Sequence, residues 1–123
     1  MTKKMVEGIS TRVIVWCIDT YGFSKFRDGG PLLEVQYVSD VSKKTYGEFD
    51  QDEVMIYVYT RTNRTLRCLV NTVIHEFIHY TQNPSWSSRY AGKYGDGLRN
   101  PYEKEAEMVA IRDTDRCIKE LGL

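Results

Sequence analysis

The sequence predicts an α+β domain, and three observations carry that prediction. Apolar residues recur at helical spacing near both ends and in the second half of the chain, β-forming runs are confined to residues 32–59, and Gly, Pro, Asn and Asp punctuate the boundaries. At 123 residues the chain has the length of a single domain. Hydrophobic residues make up 41% and aromatics 12% of it, enough apolar material for a core that a disordered segment would lack.

From Met5 to Tyr21 the positions Met5, Val6, Ile9, Val13, Trp16 and Cys17 follow a helical period, and Gly22 stands where a helix C-terminal glycine is expected. The β-branched run Val13-Ile14-Val15 argues for a strand, but the helical spacing spans more of the segment and is preferred. Asp28-Gly29-Gly30-Pro31 is a turn, and Leu32 to Val38 reads as a strand. A second turn covers Ser39 to Lys44, Thr45 to Phe49 is a short strand, and after Asp50-Gln51-Asp52 the β-former run Val54 to Tyr59 is the clearest strand of the chain.

Thr65 can cap a helix running through Leu66, Leu69, Val70, Val73, Ile74, Phe77 and Ile78, apolar over most of its circumference and therefore central. Asn83-Pro84 limits it, because proline disfavours a helical residue before it. Ser85 to Asn100, with three glycines, Trp86, Tyr90 and Tyr94, reads as a surface loop. Pro101 opens a last helix with Glu103, Glu105 and Glu107 near its positive end, and Gly122 closes it.

Seventeen basic and seventeen acidic residues give a formal net charge of zero, which argues against a nucleic-acid or anionic-membrane partner. Cys17, Cys68 and Cys117 are odd in number and without a C-x-x-C pair, as buried thiols in a reducing compartment would be. No signal-type or membrane-spanning run is present, and the chain is expected in the cytosol, with a monomer favoured. Asn63-Arg64-Thr65 matches a glycosylation sequon only by spacing and reads as a turn.

The two histidines of the chain, His75 and His79, are four residues apart, with Glu76 directly after the first. On a helix this spacing turns both imidazoles to one face, where they can bind one metal ion, zinc being the ion that suits them best. Glu76 is too far around to ligate comfortably but can take a proton from a water activated at the metal. Random placement gives this arrangement in roughly one shuffle in a thousand of the composition, so chance is the weaker explanation. A catalytic zinc normally has three protein ligands, and no third histidine exists, so the third is a carboxylate or a cysteine.

In Asn100-Pro101-Tyr102-Glu103-Lys104-Glu105-Ala106-Glu107, helical geometry puts Glu103, Ala106, Glu107 and Ala110 on one face and Glu105 roughly opposite. Glu103 is the expected third ligand. Glu107 is a candidate acceptor for the free N–H of a ligand histidine. Tyr90, Tyr94, Arg99 and Tyr102 are candidate donors to an oxyanion.

At these residues the sequence resembles the gluzincin clan of zinc peptidases, and within it the minimal one-domain gluzincins and phage-type metallopeptidases related to ImmA/IrrE-like proteins. The resemblance spans about Val54 to Ala110. It implies a zincin-like order of N-terminal helix, small antiparallel sheet, active-site helix and C-terminal ligand helix, with zinc on His75, His79 and Glu103 and Glu76 as general base. Four positions after Glu103, where relatives often carry Asp or Asn, this chain has Glu107. The family also implies a sheet-edge strand, here Val54 to Tyr59, that pairs with an extended peptide or unfolded protein segment. Alternatives are a catalytically weak zincin-like regulatory or binding module, and a phage- or virus-type assembly protein retaining the metal site. Peptide deformylase shares the histidine motif, but its other motifs are absent.

Overall fold

A computed structural model describes residues 1–86, 88–89 and 100–123. In chain order the elements are α1 (Lys3–Tyr21), β1 (Leu32–Gln36), β2 (Gly47–Asp50), β3 (Met55–Tyr59), α2 (Leu66–Thr81) and α3 (Pro101–Leu121). This is a small α+β domain, with each helix and strand within a few residues of its expected place.

α1 is helical despite its β-branched run, because the run meets a ready core: Val13 and Ile14 are buried while Val15 faces solvent. The Thr2 hydroxyl accepts from the Met5 amide at its start, and Gly22, at φ +86°, ends it. Gly122 closes α3 in the left-handed conformation at φ +66°.

The sheet differs from expectation in two respects. It is mixed and not antiparallel: β1 pairs parallel with β3, and β2 pairs antiparallel with β3. Its order is β1-β3-β2, so Val54 to Tyr59 supplies the central strand and cannot accept a further partner. The physical reason is hydrophobic content. Ile56 and Val58 are fully buried, as a strand covered on both edges and one face requires, whereas β2 (Gly-Glu-Phe-Asp) is half-buried throughout and takes an edge.

One face of the sheet packs on the helices. Leu33, Val35, Phe49, Ile56 and Val58 join a core that includes Leu69, Val70, Val73, Ile74, Phe77 and Ile78 of α2. α2 is thus the central helix, flanked by α1, α3 and the sheet. Ala106 and Ala110 are completely buried, and these small side chains let α3 lie close against α2. Cys17 and Cys117 are buried, Cys68 is half-buried, and all three are free thiols. No helix among the described residues is long and apolar enough to cross a membrane. Residues 84–86 and 88–89 are helical, so the expected loop does not start at Ser85; Ser87 and residues 90–99 lie outside the described residues.

Candidate metal centre

The site forms where the second half of α2 meets the first turn of α3. Thr65 caps α2 by accepting from the Cys68 amide at 3.1 Å, which fixes the phase of the helix. Four residues of helix then bring His75 and His79 to the same face, with Nε2 atoms 3.2 Å apart. Pro101 at the start of α3 sets Glu103 in its first turn, opposite both rings. Glu103 Oε1 lies 2.8 Å from His79 Nε2 and Oε2 lies 3.3 Å from His75 Nε2. The three residues offer ligand atoms that all lie within 4.8 Å of one another, a group able to hold a metal ion.

Glu76 does not join that triad. It is 8% exposed, and its carboxylate reaches to 3.9 Å from His75 Nε2. Burial raises its pKa, opposed by the two neighbouring imidazoles. For Glu103, burial also works against ionisation, but hydrogen bonds from His75 and His79 outweigh it and bring the carboxyl down to about 2. His79 is the complement: burial disfavours its charge, yet the Glu103 hydrogen bond and the Glu76 and Glu103 charges raise it to about 9. Because metal ligation needs a neutral imidazole, cation binding at this cluster would compete with protonation of His79.

Gln82 was not singled out in the sequence, and it organises the site. Its Oε1 lies 2.8 Å from His79 Nδ1, the position at which Glu107 was a candidate. Among the described residues no hydrogen bond or ion pair joins Glu107 to either histidine. The Gln82 amide donates to the Tyr102 carbonyl at 2.8 Å and to Glu105 Oε1 at 3.0 Å. One side chain thereby orients His79 with its Nε2 toward Glu103 and also fastens α2 and α3 together. The one sequence cue was its position, the first residue beyond a helix that must stop before Pro84.

Gly47 and Asn63 set the other wall. A Cβ on Gly47 would stand 2.7 Å from Thr72 Cγ2, 2.9 Å from the Tyr57 carbonyl oxygen and 3.2 Å from Glu76 Cγ, so only glycine lets β2 run this close over Glu76. Asn63, 1% exposed, donates to the carbonyls of Tyr46 and Tyr59 at 2.8 Å each and accepts from the Thr72 hydroxyl at 2.7 Å. The residue read as a turn is a buried clasp joining β2, β3 and α2. Between β2 and α2 lies a cleft of about 700 Å³, lined by Tyr46, Gly47, Asn71, His75, Glu76 and Glu103 among others.

Of the four candidate oxyanion donors, Tyr102 is buried with its ring edge-on to His79 at 5.6 Å between centroids. Tyr90, Tyr94 and Arg99 lie outside the described residues. Glu105 stands apart from the triad and, among the described residues, is tied to it through Gln82. Compared with protein-family models, with curated proteins and with solved structures, the chain returned no match.

Proposed function

We propose that the protein is a zinc-dependent peptidase of the gluzincin type. The observation that carries the proposal is the convergence of three ligand atoms from His75, His79 and Glu103, two of these residues, His75 and Glu103, lining a cleft together with the buried Glu76. The donor set of two imidazoles and a carboxylate matches a catalytic zinc site with one position left open. Tetrahedral ligands about 2.0–2.2 Å from zinc are about 3.3–3.6 Å apart. The Nε2–Nε2 separation of 3.2 Å and the His75–Glu103 separation of 3.3 Å suit that spacing. The His79–Glu103 separation of 2.8 Å is shorter, the length of a charge-assisted hydrogen bond.

When bound, zinc supplies Lewis acidity that polarises a carbonyl and acidifies water. The protein's own groups do the rest. Gln82 holds His79 in the ligating orientation. Glu76 takes the proton of the attacking water as its oxygen bonds to the scissile carbonyl carbon, then delivers it to the amine as the C–N bond breaks. A buried, uphill-shifted carboxylate is suited to both accept and release that proton.

An extended peptide segment would pair with β2, the edge beside the cleft, in place of the central Val54 to Tyr59 strand. The Tyr59 amide donates to the Tyr46 carbonyl at 3.1 Å. Antiparallel alternation from that pair points the main-chain N–H and C=O of Gly47 and Phe49 away from the sheet, where an added strand can meet them.

The test is to purify wild type, His75→Ala and Glu76→Gln, then measure zinc content and cleavage of an unstructured protein. The expected result is stoichiometric zinc in wild type and Glu76→Gln, little in His75→Ala, and a loss of cleavage in Glu76→Gln of about 10²–10⁴-fold. Equal zinc in wild type and His75→Ala would remove the metal site. Equal cleavage by wild type and Glu76→Gln would remove the general base.

A further inference from the structure

We infer that the cleft continues into a cation-lined hollow that binds an acidic segment of a peptide, a reading that rests on the peptide cleft proposed above. The overall charge of zero conceals a local imbalance. Lys43, Lys44, Arg61 and Arg64 surround a hollow of about 540 Å³ completed by Tyr46 and Thr62. None of the four cations forms an ion pair among the described residues, whereas Arg67, Arg112 and Arg116 each pair with a carboxylate.

Three features join the hollow to the candidate metal centre. Tyr46 lines both cavities. Residues 43–46 lead directly into β2, so a segment paired along that edge runs toward the cations. The positive end of α2 lies on the same side, with no acidic residue in its first turn to offset it. The cleft, lined by the carboxylates of Glu48, Glu76 and Glu103, therefore adjoins a hollow lined by cations without ion-pair partners among the described residues, a charge difference that orients an anionic chain.

Helical rise fixes the spacing. From Glu76 back to Leu66 is ten residues, about 15 Å at 1.5 Å per residue. An extended chain covers that in about four to five residues at roughly 3.3 Å each. The hollow thus selects Asp or Glu about four to five positions from the bond placed at His75, His79 and Glu103. A peptide is favoured over a nucleic acid because the hollow opens onto a sheet edge, whose outward N–H and C=O groups match a peptide backbone.

The test uses Glu76→Gln protein of full length and fluorescently labelled 14-residue peptides. Two carry three acidic residues toward one end or the other, a third has Gln and Asn in their place, and the fourth probe is a 14-nucleotide single strand. Fluorescence anisotropy at low salt should show one acidic peptide bound about tenfold tighter than the neutral one. Adding Arg61→Glu and Arg64→Glu should abolish that preference, bringing the acidic peptide to the neutral one's affinity or below; Arg61→Gln with Arg64→Gln, a milder pair, should reduce it in the same direction. Equal binding of acidic and neutral peptides would overturn the inference. So would tighter binding of the oligonucleotide. An acidic preference that vanishes in the Arg variants, in a protein whose wild type cleaves nothing, would keep this inference and remove the peptidase reading.

Discussion

Two polar clusters lie along α3, about ten residues and three turns apart, and they close their hydrogen bonds differently. At Asp113, which is 5% exposed, the carboxylate receives the Tyr21 hydroxyl at 2.7 Å and two guanidinium bonds from Arg112 at 2.8 and 2.9 Å. Both carboxylate oxygens there accept hydrogen bonds, three in all. At Glu103 the carboxylate meets two imidazole nitrogens that also face each other at 3.2 Å, so acceptors converge and only shared protons separate them. The first arrangement is complete without a ligand. The second has the electron-pair geometry of a cation site, and that contrast distinguishes buried charge that stabilises a fold from buried charge available for chemistry.

The sharpest way to break the contrast is to remove one carboxylate from each cluster. Glu103→Ala should cost more metal affinity than the roughly 10–100-fold typical of losing a supporting residue, read by competition with a chromophoric chelator. Glu105→Ala should cost less, since Glu105 acts only through Gln82. The opposite ranking would reassign the third ligand. Asp113→Asn should leave metal content unchanged and lower the unfolding free energy by about 1 kcal/mol, because the part-buried Tyr21 hydroxyl loses a charged acceptor while the exposed Arg112 can turn to water.

Gln82→Met should lower metal affinity by about 10–100-fold, since it keeps volume while removing the His79 acceptor and both donors to α3. If Gln82 only packed, the variant would change melting temperature and leave affinity intact. Gly47→Ala is expected to destabilise by about 1–3 kcal/mol through the contacts its Cβ would make with Thr72 and the Tyr57 carbonyl. It should also slow cleavage by displacing Glu76, measured as a fall in kcat at unchanged zinc content.

Local signals made much of this legible. The caps at Thr65 and Gly122, the apolar circumference of α2 and the spacing of His75, Glu76 and His79 are all properties of a few consecutive residues, and helix geometry converts them directly into placement. Glu103 could be singled out because its helix face also carries Ala106 and Ala110. What stayed hidden depends on contacts between distant segments. Strand order is one such property: Val54 to Tyr59 is as β-forming in the centre of a sheet as at its edge, and only the weaker burial of Gly47–Asp50 decides between them. Gln82 and Asn63 are ordinary polar residues until the fold supplies the carbonyls of Tyr102, Tyr46 and Tyr59. Gln82, not Glu107, meets His79 Nδ1, and that contact too depends on how distant segments meet.

The smallest expected effect concerns pH and the closed cluster alone. Hydrogen bonds from Arg112 hold the Asp113 carboxyl below its ordinary 3.8, and Tyr21 adds to the shift. A carboxyl depressed on folding contributes stability that is present above its unfolded pKa and lost as pH falls through its folded pKa. Tyr21 shifts the other way, raised above its ordinary 10.0 by burial and by the Asp113 contact, so its contribution is present below that value and lost as pH rises beyond it. The melting-temperature gap between wild type and Asp113→Asn should therefore be constant from about pH 5 to 9 and narrow below about pH 4, where wild-type Asp113 also becomes neutral. These melts are recorded with chelator present, so that the Glu103 cluster holds no metal in either protein. A gap that persists undiminished to pH 2 would mean that Asp113 stabilises by shape and not by charge, and the two carboxylates would then differ in more than the closure of their hydrogen bonds.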